Sequence, residues 1–68
     1  MTGDKIVIGG VYTNGSALRK VTRISPKTVE YGLVNWTPDG GFVLRNGDRR
    51  TSEFFKFARW ARRRVDIV

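Results

Sequence analysis

The stretch that decides the fold is residues 29–44, VEYGLVNWTPDGGFVL, in which two apolar segments flank a turn. In the first segment Val29, a tyrosine and Leu33 alternate with other residues, as side chains on one face of a β-strand do. The alternation returns at Phe42 and Leu44, after a Pro-Asp-Gly-Gly sequence typical of turns. The stretch therefore predicts two strands joined by a tight connection.

Further turn signals divide the first fifty residues into pieces of strand length. They are Asn14-Gly15, Ser25-Pro26 and Asn46-Gly47. Asn-Gly is the strongest of these signals, because both residues tolerate the positive φ that a two-residue hairpin turn requires. We expect the first piece to be a strand with Ile6, Ile8 and Tyr12 on one face.

Two places depart from simple alternation. Leu18, Val21 and Ile24 are spaced by three, and a β-bulge, which adds one residue to one strand, would restore the pattern. The pair Gly9-Gly10 inside the first piece predicts a bend or a close approach of the backbone to another group.

Residues 52–63 change to helical periodicity. Ser52 is a predicted N-cap, and Glu53 suits the positive end of the helix dipole. The expected apolar face consists of Phe54, Phe57, Ala58, Ala61 and Val65, which follow the i, i+3, i+4, i+7 spacing. A helix of about eleven residues does not persist alone, so this face must dock on the strands. The tail, residues 65–68, alternates like a last short strand.

These features predict a mainly β, single domain over residues 1–68, with four to five antiparallel strands and one short helix before the last strand. The chain resembles SH3-like small β-barrel proteins of bacterial, phage or plasmid origin. The resemblance rests on residues 10–12, 19–21, 29–31 and 57–61, which read GVY, RKV, VEY and FARWA. It implies a closed barrel, and it implies binding of nucleic acid or of peptides rather than one particular activity.

Positive charge is concentrated in the last third of the chain. The net charge is +7, nine of the thirteen cations are arginine, and residues 45–64 alone contribute +6. Arginine presents a planar fork that suits phosphate and carboxylate. Solubility alone would not require such crowding, so a counter-charged partner is expected.

Catalysis, cofactors and metals are not expected. The chain contains no histidine and no cysteine, so its serines lack their usual base partners and a thiolate metal site is excluded. Its six acidic residues are scattered, without the spacing of an acid/base pair. The longest apolar run near the start, residues 6–11, is too short for a membrane span or a signal region, so the cytoplasm is the predicted compartment.

The candidate nucleic-acid-binding residues are Arg45, Arg49, Arg50, Lys56, Arg59, Trp60, Arg62 and Arg63. On the predicted helix, Lys56, Arg59 and Arg63 lie within about 60° of one another. Arg45, Arg49 and Arg50 flank the turn that precedes the helix. In this hypothesis the cations contact phosphates while an aromatic side chain stacks on a base.

The aromatic residues leave alternatives open. Phe55 is interpreted as widening the core-facing stripe, whereas for Trp60 and Trp36 a core role and a ligand role are evenly balanced. Tyr12 and Tyr31 are expected to fill the core.

Two function classes remain. Nucleic acid, bound through backbone phosphates with little sequence specificity, is the leading hypothesis, because the helix has no Asn or Gln to read base edges. The alternative is a protein-interaction module that docks on an acidic surface of a larger protein. Membrane binding is disfavoured, since the core needs the helix's apolar face. A monomer or weak homodimer is expected.

Overall fold

The computed structural model describes residues 2–45 and 47–66. A short 3₁₀ turn spans Gly3–Lys5. The strands are β1 Val11–Thr13, β2 Leu18–Ile24, β3 Thr28–Trp36, β4 Phe42–Leu44, β5 Arg50–Glu53 and β6 Arg63–Arg64, and one helix, α1 Phe54–Trp60, lies between β5 and β6. The mainly β class is therefore confirmed, with six strands among the described residues rather than four or five.

All strand pairs are antiparallel and belong to one sheet with the order β4-β3-β2-β1-β6. The long strand β3 lies at its centre, because its first half pairs with β5 while its last three residues pair with β4. Within the described residues no strand pairing joins β6 to β4 or β5, so the sheet is open. The closed barrel of the sequence-based expectation is not shown.

The bulge predicted in β2 is confirmed. Val21 lies opposite Tyr31, but Arg23 lies opposite Glu30, so the strand carries one extra residue between them. The bulge allows Val21 and Ile24, which are three residues apart, to lie opposite Tyr31 and Val29 on the same face of the sheet. β2 thus stays amphipathic despite its irregular sequence pattern.

The first strand is shorter than predicted. The strand itself is only Val11–Thr13, although backbone hydrogen bonds also join Gly9 and Gly10 to Val21 of β2. Ile8 is 63% exposed, whereas Ile6 is buried. Before β1 the chain bends at Gly9, whose φ is +87°. Gly10 passes so close to Tyr12 that a Cβ there would lie 2.6 Å from the tyrosine hydroxyl oxygen. Both a bend and a close approach therefore occur at this glycine pair.

The helix also differs from the prediction. It ends at Trp60, and Ser52 belongs to β5, so Glu53 is the N-cap residue. The backbone N–H groups of Arg62 and Val65 donate to Thr13 and Val11 in β1, at 2.9 and 2.8 Å. Beyond Trp60 the backbone groups pair with the free edge of β1 instead of continuing the helix. Either arrangement would supply the hydrogen-bond partners that they need. Arg63 and Val65 therefore do not belong to the helix.

The core lies between the helix and the sheet. Its fully buried side chains include Tyr12, Val21, Val29 and Phe57. The Phe57 ring contacts the rings of Tyr12 and Tyr31, with centroids 5.8 and 5.5 Å away. The expectation that both tyrosines fill the core is confirmed.

Candidate nucleic-acid interface

The cations of the last third lie on several surfaces rather than on one helical face. Lys56 and Arg59 are exposed on the helix, whereas Arg62 follows it and Arg63 is in β6. The predicted cationic face of Lys56, Arg59 and Arg63 is wrong in this respect, because the helix ends before Arg63. The strands of the sheet, rather than the helix, bring candidate cations together.

A groove of about 410 Å³ lies beside the turn that joins β1 and β2. Arg45 and Arg63, which are 18 residues apart in sequence, both line this groove together with Trp36. Its other lining residues are Thr13, Gly15, Ser16, Ala17, Leu18, Leu33 and Val34, so none of its described lining residues is acidic. We call this the Trp36 groove.

Side-chain hydrogen bonds hold the turn beside this groove. The Asn14 Oδ1 atom accepts hydrogen bonds from the N–H groups of Ser16 and Ala17, at 2.9 and 3.1 Å. Thr13 Oγ1 accepts another from Gly15, whose φ of +100° suits a residue without a Cβ. A turn fixed in this way needs little ordering when a ligand binds.

Trp36 is 61% exposed, at the end of β3. It lies against Phe42 of β4, with ring centroids 4.4 Å apart and ring planes inclined by 42°. Thr37 and Gly41 close the hairpin with a backbone hydrogen bond of 3.0 Å. One ring thus supports the other, and the exposed tryptophan offers an aromatic surface to a ligand.

Neither arginine of the groove forms a salt bridge within the part of the chain that the structure describes. Arg45 Nε donates to Asn35 Oδ1 at 3.1 Å, which orients the guanidinium without neutralising it. Arg63 has no carboxylate partner in the part of the chain that the structure describes. Both groups can therefore bind an anion, although Asp48 lies near enough for the charge of Arg45 to act on it.

Three other candidate cations contact acidic side chains. Arg49 lies 3.2 Å from Glu30, Arg50 lies 3.1 Å from Asp48, and Lys56 lies 4.0 Å from Glu53. The hydrogen bond from Arg50 holds the pKa of Asp48 below its usual range. These cations are partly compensated within the protein, which makes them weaker candidates than the groove arginines.

The structure separates the three aromatic residues that the sequence left open. Phe55 is 57% exposed, so the interpretation that it widens the core stripe is wrong. Trp60 is half-buried and packs on Phe57, with centroids 5.5 Å apart. Trp36 is therefore the more accessible of the two tryptophans. The only sign of this exposure in the sequence is the position of Trp36 next to a turn.

Sequence reasoning missed Arg19 as a functional candidate, because it lies in a strand far from the cationic third. Its guanidinium carbon Cζ lies 3.9 Å from the centroid of the Trp60 ring and 4.5 Å from that of Tyr31. Register could have indicated part of this: Arg19 lies opposite Tyr12 and Leu33, on the face that Val21 and Tyr31 share.

Comparison of the chain with protein-family models, with curated proteins and with solved structures found no match. Within residues 2–45 and 47–66, no three acidic side chains lie close enough together to hold a metal ion. No described helix is long and apolar enough to cross a membrane. The candidate site therefore has to be judged on its own geometry.

Proposed function

We propose that this protein is a small nucleic-acid-binding module that holds a strand in the Trp36 groove, through backbone phosphates and with little sequence specificity. Arg45 and Arg63 contact phosphate oxygens, and Trp36 stacks on a base. Arg62, which is exposed and adjacent to Arg63 in sequence, adds to the attraction of the phosphate chain.

The observation that carries this proposal is that one groove is lined by an exposed tryptophan and by two arginines that form no salt bridge among the described residues. The described lining of the groove is free of acidic side chains. Stacking on an aromatic ring tolerates any base, because every base has a π-face. The described residues of the groove offer no Gln side chain and no recognition helix, which favours weak sequence selectivity.

The finer architecture belongs to the same proposal. We infer that the sheet curls into an SH3-like barrel that is closed by side chains rather than by a continuous hydrogen-bond ladder. The strand order β4-β3-β2-β1-β6 and the helix before the last strand support this arrangement. Solution NMR hydrogen exchange that shows rapid exchange throughout β4 and β5 would contradict a barrel, since barrel strands are protected.

The test of function is binding of a fluorescently labelled single strand, followed by anisotropy at 50 and 200 mM salt. If three cations neutralise phosphates of the single strand, affinity should fall by about 20-fold between these concentrations. Trp36→Ala should weaken binding by about 5- to 150-fold, which corresponds to the loss of one stacked base. Arg45→Ala and Arg63→Ala should each reduce the salt slope by about one.

The matched control is Arg23→Ala, which removes the same charge from an exposed position at the far end of β2. A loss at Arg23 as large as that at Arg63 would mean that only net charge matters, and would contradict the groove. A duplex of the same sequence should bind more weakly, because its bases are not free to stack. Absence of binding to both forms at 50 mM salt would refute the proposal and make an acidic protein surface the leading partner.

A further inference from the structure

The guanidinium group of Arg19 is held between two aromatic rings. Its Cζ atom lies 3.9 Å from the centroid of Trp60 and 4.5 Å from that of Tyr31, both of which pack on Phe57 in the core. A cation over an aromatic face is attracted by the ring quadrupole, and planar stacking removes the freedom of the side chain. Arg19 is thus fixed before any ligand arrives.

The hydrogen-bonding capacity of Arg19 is left unused. Its Nε atom is buried and, among the described residues, has no acceptor. The residue as a whole is partly exposed, and no described side chain or carbonyl accepts from its Nη atoms. The Nη edge of the guanidinium therefore remains open to solvent, with two N–H groups side by side.

A second arginine, which is partly compensated by Asp48, lies on the same face of the sheet. Arg50 of β5 lies opposite Tyr31 in the sheet register, on the face that carries Arg19. Burial lowers the pKa of Arg19, with a further lowering by Arg50, although Tyr31 acts in the opposite direction. Asp48 is bound to Arg50 and to the N–H of Leu33, so it does not compensate Arg19 directly.

We propose that Arg19, with Arg50 beside it, forms a phosphate-binding site distinct from the Trp36 groove. The open Nη edge donates two parallel hydrogen bonds to two oxygens of one phosphate group, which is the bidentate geometry that arginine favours. Arg19 is not among the residues that line the groove, and it lies on the face of β2 opposite to Leu18, which does line it.

This inference goes beyond the proposed function, because it adds a second site outside the Trp36 groove. The phosphate bound there can come from two sources. One is free inorganic phosphate, and the other is a phosphate of a nucleic-acid chain that extends past the groove. Both present the same oxygens to Arg19, so the chemistry is shared and an experiment must separate the sources.

The test is an NMR titration that follows the two indole N–H signals, one from each tryptophan. Inorganic phosphate, added at constant ionic strength against chloride, should shift the Trp60 signal saturably and leave the Trp36 signal in place. Arg19→Lys keeps the charge but loses the planar fork, and should weaken phosphate binding by about tenfold or more. Arg23→Lys is the control and should leave the titration unchanged.

A second readout needs no variant: the Nε–H signal of Arg19 in the unmodified protein should shift with the same affinity as the Trp60 indole. No saturable shift at either group would overturn the inference, even if Arg19→Lys fails to fold.

An oligonucleotide arm separates the two sources. An oligonucleotide that shifts both tryptophans assigns the Arg19 site to a phosphate of the chain. One that shifts Trp36 alone, while inorganic phosphate shifts Trp60, assigns it to free phosphate. Failure of the groove would appear as an unmoved Trp36, so it is distinguishable from failure of the Arg19 site.

Discussion

Tyr12 shows at the scale of one residue how the start of the chain is attached to the sheet. Its hydroxyl donates to the Lys5 carbonyl and accepts from the Val7 N–H, both at 2.9 Å, while its ring is fully buried. Gly10 leaves the space that the hydroxyl occupies. The alternation of apolar residues predicted that Tyr12 lies in the core. It could not predict the hydrogen bond from the hydroxyl to the Lys5 carbonyl, because such a bond produces no periodicity in the sequence.

Tyr12→Phe should therefore destabilise the domain without disturbing its core. The loss of two hydrogen bonds should cost about 1 to 2 kcal/mol in the free energy of unfolding, since Lys5 and Val7 are exposed enough for water to replace part of the contact. Thermal unfolding would measure this. Tyr31→Phe is the control, because no described residue bonds to the Tyr31 hydroxyl, and an equal loss in both variants would contradict the role of Tyr12.

Among the strands and the helix, the sequence predicted those features that depend on the local residue pattern. The bulge between Val21 and Arg23 followed from residue spacing, and the hairpin after Trp36 followed from its turn residues. The end of the helix could not be predicted from the sequence, because residues 62–65 would continue the helical pattern. They pair with β1 instead, and competition between a helix and a distant strand edge is a tertiary effect.

The helix offers a matched pair of phenylalanines for a stability test. Phe57 is fully buried among aromatic rings, whereas Phe55, two residues earlier, is 57% exposed. Phe57→Ala should cost about 3 to 5 kcal/mol, which is enough to unfold a domain of this size at ambient temperature. Phe55→Ala should change stability by about 0.5 kcal/mol or less.

Circular dichroism with urea titration would compare these two variants. Similar midpoints would mean that the helix does not dock through Phe57. By the same logic, replacing the exposed Arg59 by Ala should leave the domain folded.

At the scale of the whole molecule, Asp66 joins the end of the described chain to its first strand. Its Oδ1 atom accepts the N–H of Val11 at 3.0 Å, and its carboxylate binds Arg64 through two hydrogen bonds of 2.7 and 3.0 Å. The hydrogen bond from Arg64, aided by that from Val11, lowers the pKa of Asp66. Nothing in the residue pattern indicated this role, because a single acid in an alternating tail has no special spacing.

Asp66→Ala should lower the free energy of unfolding by about 1 to 2 kcal/mol, since it leaves the buried N–H of Val11 without its acceptor. The lowered pKa means that the unfolded chain takes up the proton first. The difference from the unmodified protein should therefore be complete above about pH 4 and shrink as the pH falls further.

Asp66→Asn separates the two contributions, because an amide oxygen can still accept from Val11 but carries no charge. Its loss should be smaller than that of Asp66→Ala and should vanish in acid, whereas Asp66→Ala should keep the part of its loss that is due to the Val11 N–H. Denaturant unfolding at a series of pH values measures both variants. A difference that is independent of pH would contradict the contribution of the carboxylate.

The pairing of β1 with β6 also has a kinetic consequence. It places Tyr12 opposite Arg64, 52 residues later in the sequence, whereas β2 and β3 meet through a short turn. Closing so large a loop costs entropy before its contacts form, so the transition state for folding should contain the β2–β3 hairpin and lack β6. Substitutions at Asp66 should then accelerate unfolding and leave the refolding rate nearly unchanged.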